Sequence, residues 1–167
     1  MTHPLLLALF SDPSSAARAA AALHAQGIGR DDLSVIARNH DEQVLAARTL
    51  DATPSVEIED SMPAARLGEL GAHVLAAMAL VMPGVGPVIA GGPLAAELGE
   101  AAGHAAGGLA DHLERAGLSR ADADAVESGV EKGSLLLGVH VRGGSTEQAG
   151  SALIDAGAGA VYRATWK

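Results

Sequence analysis

Short apolar runs predict that residues 1–38 form a strand, a helix and a second strand. Residues 5–10 are a continuous apolar run followed by Ser11-Asp12-Pro13, a pattern typical of a strand buried on both faces. Asp12 is placed to cap a helix over residues 13–26, with Pro13 at its first position. Residues 33–38 alternate in polarity and predict the second strand.

The same order of elements recurs near the other end of the chain. Residues 135–141 predict a strand, residues 145–155 a helix begun by a Ser-x-x-Gln capping turn, and residues 158–166 a last strand. Two such units give the element order of an α+β ferredoxin-like βαβ-βαβ sandwich. Residues 1–38 and 134–167 are therefore predicted to form one split domain.

The residues between these two units are an insertion between strands 2 and 3, and it divides by composition. Residues 39–62 are a polar, acidic connector. Residues 63–133 are predicted to form an Ala/Gly-rich helical hairpin and then an amphipathic helix over 119–132. Ser119 is the expected N-cap of that helix and Gly133 its stop.

The hairpin is predicted to consist of helices over 64–81 and 94–116, joined by the turn PGVGPVIAGGP. Small residues recur every four positions in both helices, and such stripes favour close helix approach. The predicted packing and oligomer-interface residues are Gly68, Ala72, Ala76, Pro83, Gly84, Gly86, Pro87, Gly99, Gly103 and Gly107.

No Asp, Glu, Lys or Arg occurs between Glu69 and Glu97, so a membrane segment, a soluble core and a subunit interface are alternatives. The prolines and glycines would leave backbone groups unpaired in lipid, which favours a hairpin buried in soluble protein or in an interface. A reversible membrane-associated wedge is the alternative. Because both faces of the predicted strands are apolar, we expect the hairpin of the same chain, or of a partner chain, to cover the second sheet face.

Charge and composition exclude several function classes. The chain carries 11 Lys plus Arg against 20 Asp plus Glu, a formal charge of -9 that repels nucleic-acid phosphates. With one Trp, one Tyr and one Phe it has no stacking platform for bases. The absence of cysteine excludes disulfides and thiolate metal sites. The N-terminal apolar run lacks a preceding basic region, so a cytoplasmic location is predicted, with peripheral membrane contact as the alternative.

Four segments together resemble a family of small bacterial stress proteins, described as general stress, heat-induced or low-temperature-induced proteins. They are LLALFSDPSSAARAAAALHAQGIGRDDLSVIAR, PGVGPVIAGGPLAA, LSRADADAVESGVEKG and SLLLGVHV. The resemblance covers most of the chain outside residues 39–62, and the proline-glycine turn followed by GGPLAA is its most specific part. It implies a ferredoxin-like domain with a glycine-rich insert and a link to stress responses, and it supplies no catalytic residues.

Histidines are the plausible metal or acid-base groups. His104 and His112 lie on one predicted helix, and antiparallel pairing would bring His73 near His104, so these three are the candidate metal ligands. Capping or surface histidines are the favoured interpretation of all three. His140 falls on the strand face of Leu136, as a satisfied sheet histidine or as a pH sensor at an interface.

No set of residues amounts to a catalytic site, and no cofactor or small molecule is indicated. The predicted function is that of a non-enzymatic, stress-associated structural or interaction protein. It would assemble into a homo-oligomer through its apolar sheet face and its glycine-striped hairpin. The alternatives are a peripheral membrane protein whose hairpin engages lipid and a small-ligand or metal-binding module.

Overall fold

Six strands and five helices are defined in the parts of the chain that the computed structural model describes, residues 2–38, 77–82, 84–102 and 107–167. The strands are β1 His3–Phe10, β2 Leu33–Arg38, β3 Ala77–Met82, β4 Gly86–Gly91, β5 Leu135–His140 and β6 Ala160–Trp166. The helices are α1 Pro13–Ala25, α2 Pro93–Ala102, α3 Leu109–Arg115, α4 Arg120–Glu131 and α5 Thr146–Asp155, and a 3₁₀ turn spans Arg30–Asp32. The class is mixed α+β.

The strands form one antiparallel sheet in the order β3-β4-β2-β5-β1-β6. Next to the edge strand β6, β1 lies between β5 and β6, so that Leu7 stands opposite Gly138 on one side and Tyr162 on the other. β5 also pairs with β2, where Ser34 is opposite Gly138. The β3–β4 hairpin extends the sheet beyond β2 through the pairing of β4 with β2.

Local capping signals account for the helix starts, and they confirm the predicted ones. Asp12 Oδ1 accepts a hydrogen bond from the Ser15 N–H at 2.8 Å. The Ser119 hydroxyl oxygen accepts from the Asp122 N–H at 3.1 Å, and that of Ser145 accepts from the Gln148 N–H at 3.3 Å. All the strands and helices predicted outside the hairpin and the connector are present, with ends that agree to about two residues.

The prediction of two helices joined by a proline-glycine turn is wrong for residues 77–91, which form β3 and β4. The Val85 N–H donates to the Met82 carbonyl at 3.2 Å, and Gly84 has φ +84°. A positive φ at the third residue is typical of a type II β-turn, which favours proline and then glycine at its two central positions, the order that the sequence supplies. An apolar run without a clear period fits a strand as well as a helix, so the pattern alone did not separate them. Residues 64–76 of the first predicted helix lie outside the described residues.

The second predicted helix, over 94–116, is interrupted. α2 covers Pro93–Ala102 and α3 covers Leu109–Arg115. Gly107 and Gly108 lie before α3 instead of within a helix, with Gly108 as its N-cap in extended conformation. The prediction that Gly107 continues a helical stripe is therefore wrong.

Helices cover both faces of the sheet. On the first face, α1 and α5 bury side chains such as Leu23 and Leu153 against Leu6 and Phe10 of β1. The second face is covered by α2, α3 and α4, and its core contains Leu5, Leu7, Ile36, Leu136, Leu94, Leu98, Leu113 and Val126. The sequence left open whether the same chain or a partner chain covers the second face. Within the described residues, helices of the same chain cover it. An oligomer interface on this apolar face would require these helices to leave it.

Candidate functional site

A row of hydrogen-bonded polar groups crosses the second face of the sheet where its core is otherwise apolar. The Leu94 N–H, at the start of α2, donates to Ser34 Oγ at 3.0 Å. Ser34 Oγ lies 3.2 Å from His140 Nε2, and His140 Nδ1 lies 3.1 Å from His3 Nε2. Ser34 and His140 are both 0% exposed, while His3 is half-buried. We call these three side chains the polar row.

Strand alternation and register bring the polar row together. His3, Ser34 and His140 share a face because each lies an even number of residues from Leu5, Ile36 or Leu136 of that face. Gly138 stands opposite Ser34, and a Cβ atom at Gly138 would lie 3.3 Å from Ser34 Cβ. A larger residue at Gly138 would therefore crowd Ser34.

The donors and acceptors of the polar row fit one arrangement when both imidazoles are neutral. Ser34 Oγ accepts from the Leu94 N–H, and His140 Nε2 is the acceptor within reach of its own hydroxyl hydrogen among the described hydrogen bonds, so we direct that hydrogen to His140 Nε2. His140 then carries its hydrogen on Nδ1 and donates it to His3 Nε2. We assign this arrangement because it satisfies every donor of the buried groups, as buried polar groups require.

Burial is the main influence on the charge of His140. Burial, and after it the neighbouring His3 and Arg142, lower the pKa of His140 to about 4. The pKa of His3 is also lowered, by burial and by Arg142, while Asp32 acts in the opposite direction. Arg142 Nε is 3.3 Å from Asp32 Oδ1. Trp166 meets the His140 ring edge-on, with centroids 4.8 Å apart.

The GGPLAA segment places the start of α2 on this row. Gly92, with φ +83°, follows β4, and a Cβ atom at this position would lie 2.0 Å from the Leu33 carbonyl oxygen. Only glycine allows so close an approach to β2. Pro93 begins α2, and the next residue, Leu94, donates to Ser34. The most specific part of the family resemblance therefore lies at the polar row.

A second polar cluster joins α3 to α4. Arg120 contacts Asp111 at 2.7 Å, Glu114 at 3.3 Å and Asp124 at 3.0 Å. The hydrogen bond from Arg120, and then that from the Gly108 N–H, holds the pKa of Asp111 below its usual value. These side chains are about half exposed, so the cluster fastens two helices at the surface and forms no enclosed site.

Glu127 joins α4 to two other elements. Its Oε2 accepts from the Ala110 N–H in the first turn of α3 at 2.8 Å. A Cβ atom at Gly84 would lie 3.4 Å from its Oε1, so the same carboxylate lies beside the β3–β4 turn. Glu127 therefore holds the start of α3 near the end of the hairpin.

A shallow groove of about 940 Å³ lies between α1 and α5 on the outside of the molecule. Its lining includes Arg18, Gln26, Gln148 and Asp155. The Arg18 guanidinium donates to the Ala156 carbonyl at 3.4 Å, and the Gln26 amide donates to the Gln148 carbonyl at 3.4 Å. These bonds join the two helices across the groove.

Of the three predicted metal ligands, only His112 falls within the described residues. His112 lies in α3, 7% exposed, and its pKa is lowered by burial and by Arg115. His73 and His104 lie outside the described residues. Within the described ranges, no three His, Cys, Asp or Glu side chains are grouped as a metal ion requires.

The predicted packing residues are distributed over several elements. Gly84, in the turn, and Gly86 and Pro87, in β4, belong to the β3–β4 hairpin, and Gly99 lies in α2. The predicted packing residues that fall outside the described ranges are Gly68, Ala72, Ala76, Pro83 and Gly103. No described helix is both long enough and apolar enough to cross a membrane.

The sequence pattern predicted His140 on the face of Leu136, and the structure confirms this placement. It missed the partners of His140. Ser34 is a polar residue at a core position of an apolar strand, and His3 is two residues before the first core leucine of that face. These were the available signals.

Comparison with protein-family models, with curated proteins and with solved structures finds no match to this chain.

Proposed function

We propose that this chain is a non-enzymatic structural or interaction protein of the stress response, similar to the bacterial general stress family. The observation that carries the proposal is the state of Ser34 and His140. These groups are a potential nucleophile and base on the second face of the sheet, yet both are fully buried and hydrogen-bonded to each other. A nucleophile and base without access to solvent serve the architecture and not a substrate.

The fold that we propose is the ferredoxin-like sandwich with a two-stranded addition. Its support is the order β6-β1-β5-β2 within the sheet, formed by two strand-helix-strand units whose neighbours are all antiparallel. The β3–β4 hairpin and α2, α3 and α4 then constitute the insertion, which both widens the sheet and covers its second face.

The proposed partner is a second copy of the chain, bound in the cytoplasm through the glycine-rich hairpin. The sequence predicted an interface made by the apolar sheet face and the hairpin. The chain's own helices occupy that sheet face, so we retain only the hairpin as the interface. Gly84 is exposed in the β3–β4 turn, and no charged residue occurs from Ala77 to Leu94. A formal charge of -9 argues against nucleic acid as the partner.

Light scattering coupled to size exclusion, on protein purified without detergent, tests this proposal. We expect one defined oligomer whose size is independent of loading concentration. Pro87→Lys, which puts a charge into this uncharged hairpin, should shift it to smaller species, whereas Gly143→Lys, in an open loop, should leave it unchanged. A monomer at all concentrations would contradict self-assembly. Sedimentation with membranes would favour the lipid-binding alternative, and a bound small species in native mass spectra would favour the ligand-binding one.

A further inference from the structure

We propose that the polar row is a pH-sensitive latch, which fastens the start of α2 to the sheet while His3 and His140 are neutral and releases it when the pair takes up a proton. The proposal follows from how the hydrogens are shared among three side chains and one backbone amide. It does not depend on the function proposed above.

The first step concerns the two imidazoles. His140 Nδ1 and His3 Nε2 are 3.1 Å apart, so one hydrogen lies between them and one of the two nitrogens must be an acceptor. In the neutral arrangement the hydroxyl of Ser34 donates its hydrogen to the lone pair of His140 Nε2. If either ring takes up a proton and the His3–His140 hydrogen bond is kept, His140 Nε2 must therefore carry a hydrogen.

The second step concerns Ser34. Once His140 Nε2 carries a hydrogen, it donates to Ser34 Oγ, which also accepts from the Leu94 N–H. The hydroxyl hydrogen of Ser34 then loses its acceptor at a site that is 0% exposed. An unsatisfied buried donor is unfavourable. Detachment of the α2 start relieves it, because water then reaches the hydroxyl.

The charged groups around the row set the pH range of this step. Arg142, which follows β5, and the amino terminus oppose protonation of His3, whereas Asp32, before β2, favours it. β6 contributes the uncharged Trp166, and the first turn of α2 contributes no acidic side chain. With burial added, protonation falls below the usual histidine range, toward the pKa of about 4 of His140.

Release of α2 would uncover part of the second core. Leu94, Ala95 and Leu98 of α2 belong to the same core cluster as Ile36 of β2 and Val88 of β4. Acidification would thus expose apolar surface on this side of the sheet while α1 and α5 remain on the other.

Amide hydrogen exchange and histidine titration, followed by NMR on the full chain from pH 7.5 to 3.5, test the latch, because this range passes through the pKa of about 4 of His140. We expect the protection factor of the Leu94 amide to fall about tenfold or more as the His3–His140 pair titrates, while Leu23 in α1 stays protected. Ser34→Ala should leave the histidines titrating but give weak Leu94 protection at every pH. Ser151→Ala, an exposed change in α5 on the other face of the sheet, should behave as the wild type.

Three results would overturn the proposal. One is Leu94 protection that stays constant while both imidazoles titrate. Another is a Ser34→Ala chain that keeps the wild-type pH dependence at Leu94. The third is equal loss of protection at Leu23 and Leu94, which would indicate global unfolding instead of local release.

Discussion

The carbonyl oxygen of Leu33 occupies the space that any side chain at Gly92 would need. A Cβ atom there would lie 2.0 Å from that oxygen and 2.7 Å from Ser34 Cα. The neighbouring atoms belong to the backbone of β2, which is paired on both sides and cannot easily move. This contact fixes where α2 begins, and so it brings the Leu94 amide within reach of Ser34.

Gly92→Ala should therefore be among the most damaging small substitutions in the chain. It combines a backbone clash with φ +83°, and we expect a loss of roughly 3 kcal/mol or more of unfolding free energy. Urea denaturation of the purified variant measures it. Gly143→Ala, where a Cβ atom meets nothing within 4 Å, is the matched control and should change stability little. Similar midpoints for the two variants would contradict the close approach.

Stability should fall between about pH 6.5 and pH 4. The pKa of His140 is about 4 in the folded protein and 6.5 when the residue is unperturbed, so the unfolded chain binds its proton first and acid favours unfolding. The contribution is present above pH 6.5 and is lost toward pH 4, at a cost of about 2–3 kcal/mol. The lowered pKa values of Asp12 and Asp111 stabilise the fold above the ordinary carboxyl pKa of 3.8, and this contribution is lost as the pH falls below it.

Denaturation midpoints of wild type and His140→Leu at several pH values separate these groups. The variant should lose most of the pH dependence of stability between pH 6.5 and 4. It should retain the loss of stability at lower pH that the carboxylates cause. Ser151→Ala, an exposed change in α5, should keep the wild-type profile. If His140→Leu showed the same slope as the wild type, another group would be responsible.

Ser145→Ala should destabilise α5 by about 1 kcal/mol, because the Gln148 N–H loses its capping acceptor. Ser151→Ala makes the same chemical change at an exposed position within the helix and should be neutral or slightly stabilising. Thermal or urea unfolding of both variants checks the difference. Equal effects would mean that the cap contributes nothing at Ser145.

Glu127→Ala should cost about 1–2 kcal/mol, since it removes the acceptor of the Ala110 N–H at the start of α3. Glu131→Ala, an exposed change at the end of the same helix, serves as its control. Hydrogen exchange adds a local readout: the Ala110 amide should lose protection in Glu127→Ala only. Retained protection there would show that the carboxylate does not hold α3.

The parts of the fold that the sequence predicted are those encoded locally. Asp12, Ser119 and Ser145 each cap a helix through contacts within three residues, so their roles are visible in the chain itself. The β3–β4 hairpin was mistaken for a helical one. Its proline-glycine turn suits both, and the strands acquire their identity only by pairing, β4 with β2 and β3 with β4.

The polar row was only partly predictable, for the same reason. Alternation places His140 on the face of Leu136, a local inference that is confirmed. Its partners arrive from β1, β2 and α2, and their meeting depends on the β2–β5 register and on the Gly92 contact. Neither of these is visible in the spacing of residues along the chain.

The position of β5 has a consequence for how the chain folds. β5 separates β1 from β2, yet it follows both α2 and α4 in the chain, so the first two strands have an empty place between them until β5 is synthesised. Leu5 cannot pair with His140, nor Leu33 with Val139, before β5 is synthesised. Closing such long loops is slow compared with forming local hairpins. A nascent chain that stops before β5 would therefore present an unpaired apolar β1 and a β2 with one free edge, the state in which chaperone capture or aggregation competes with folding.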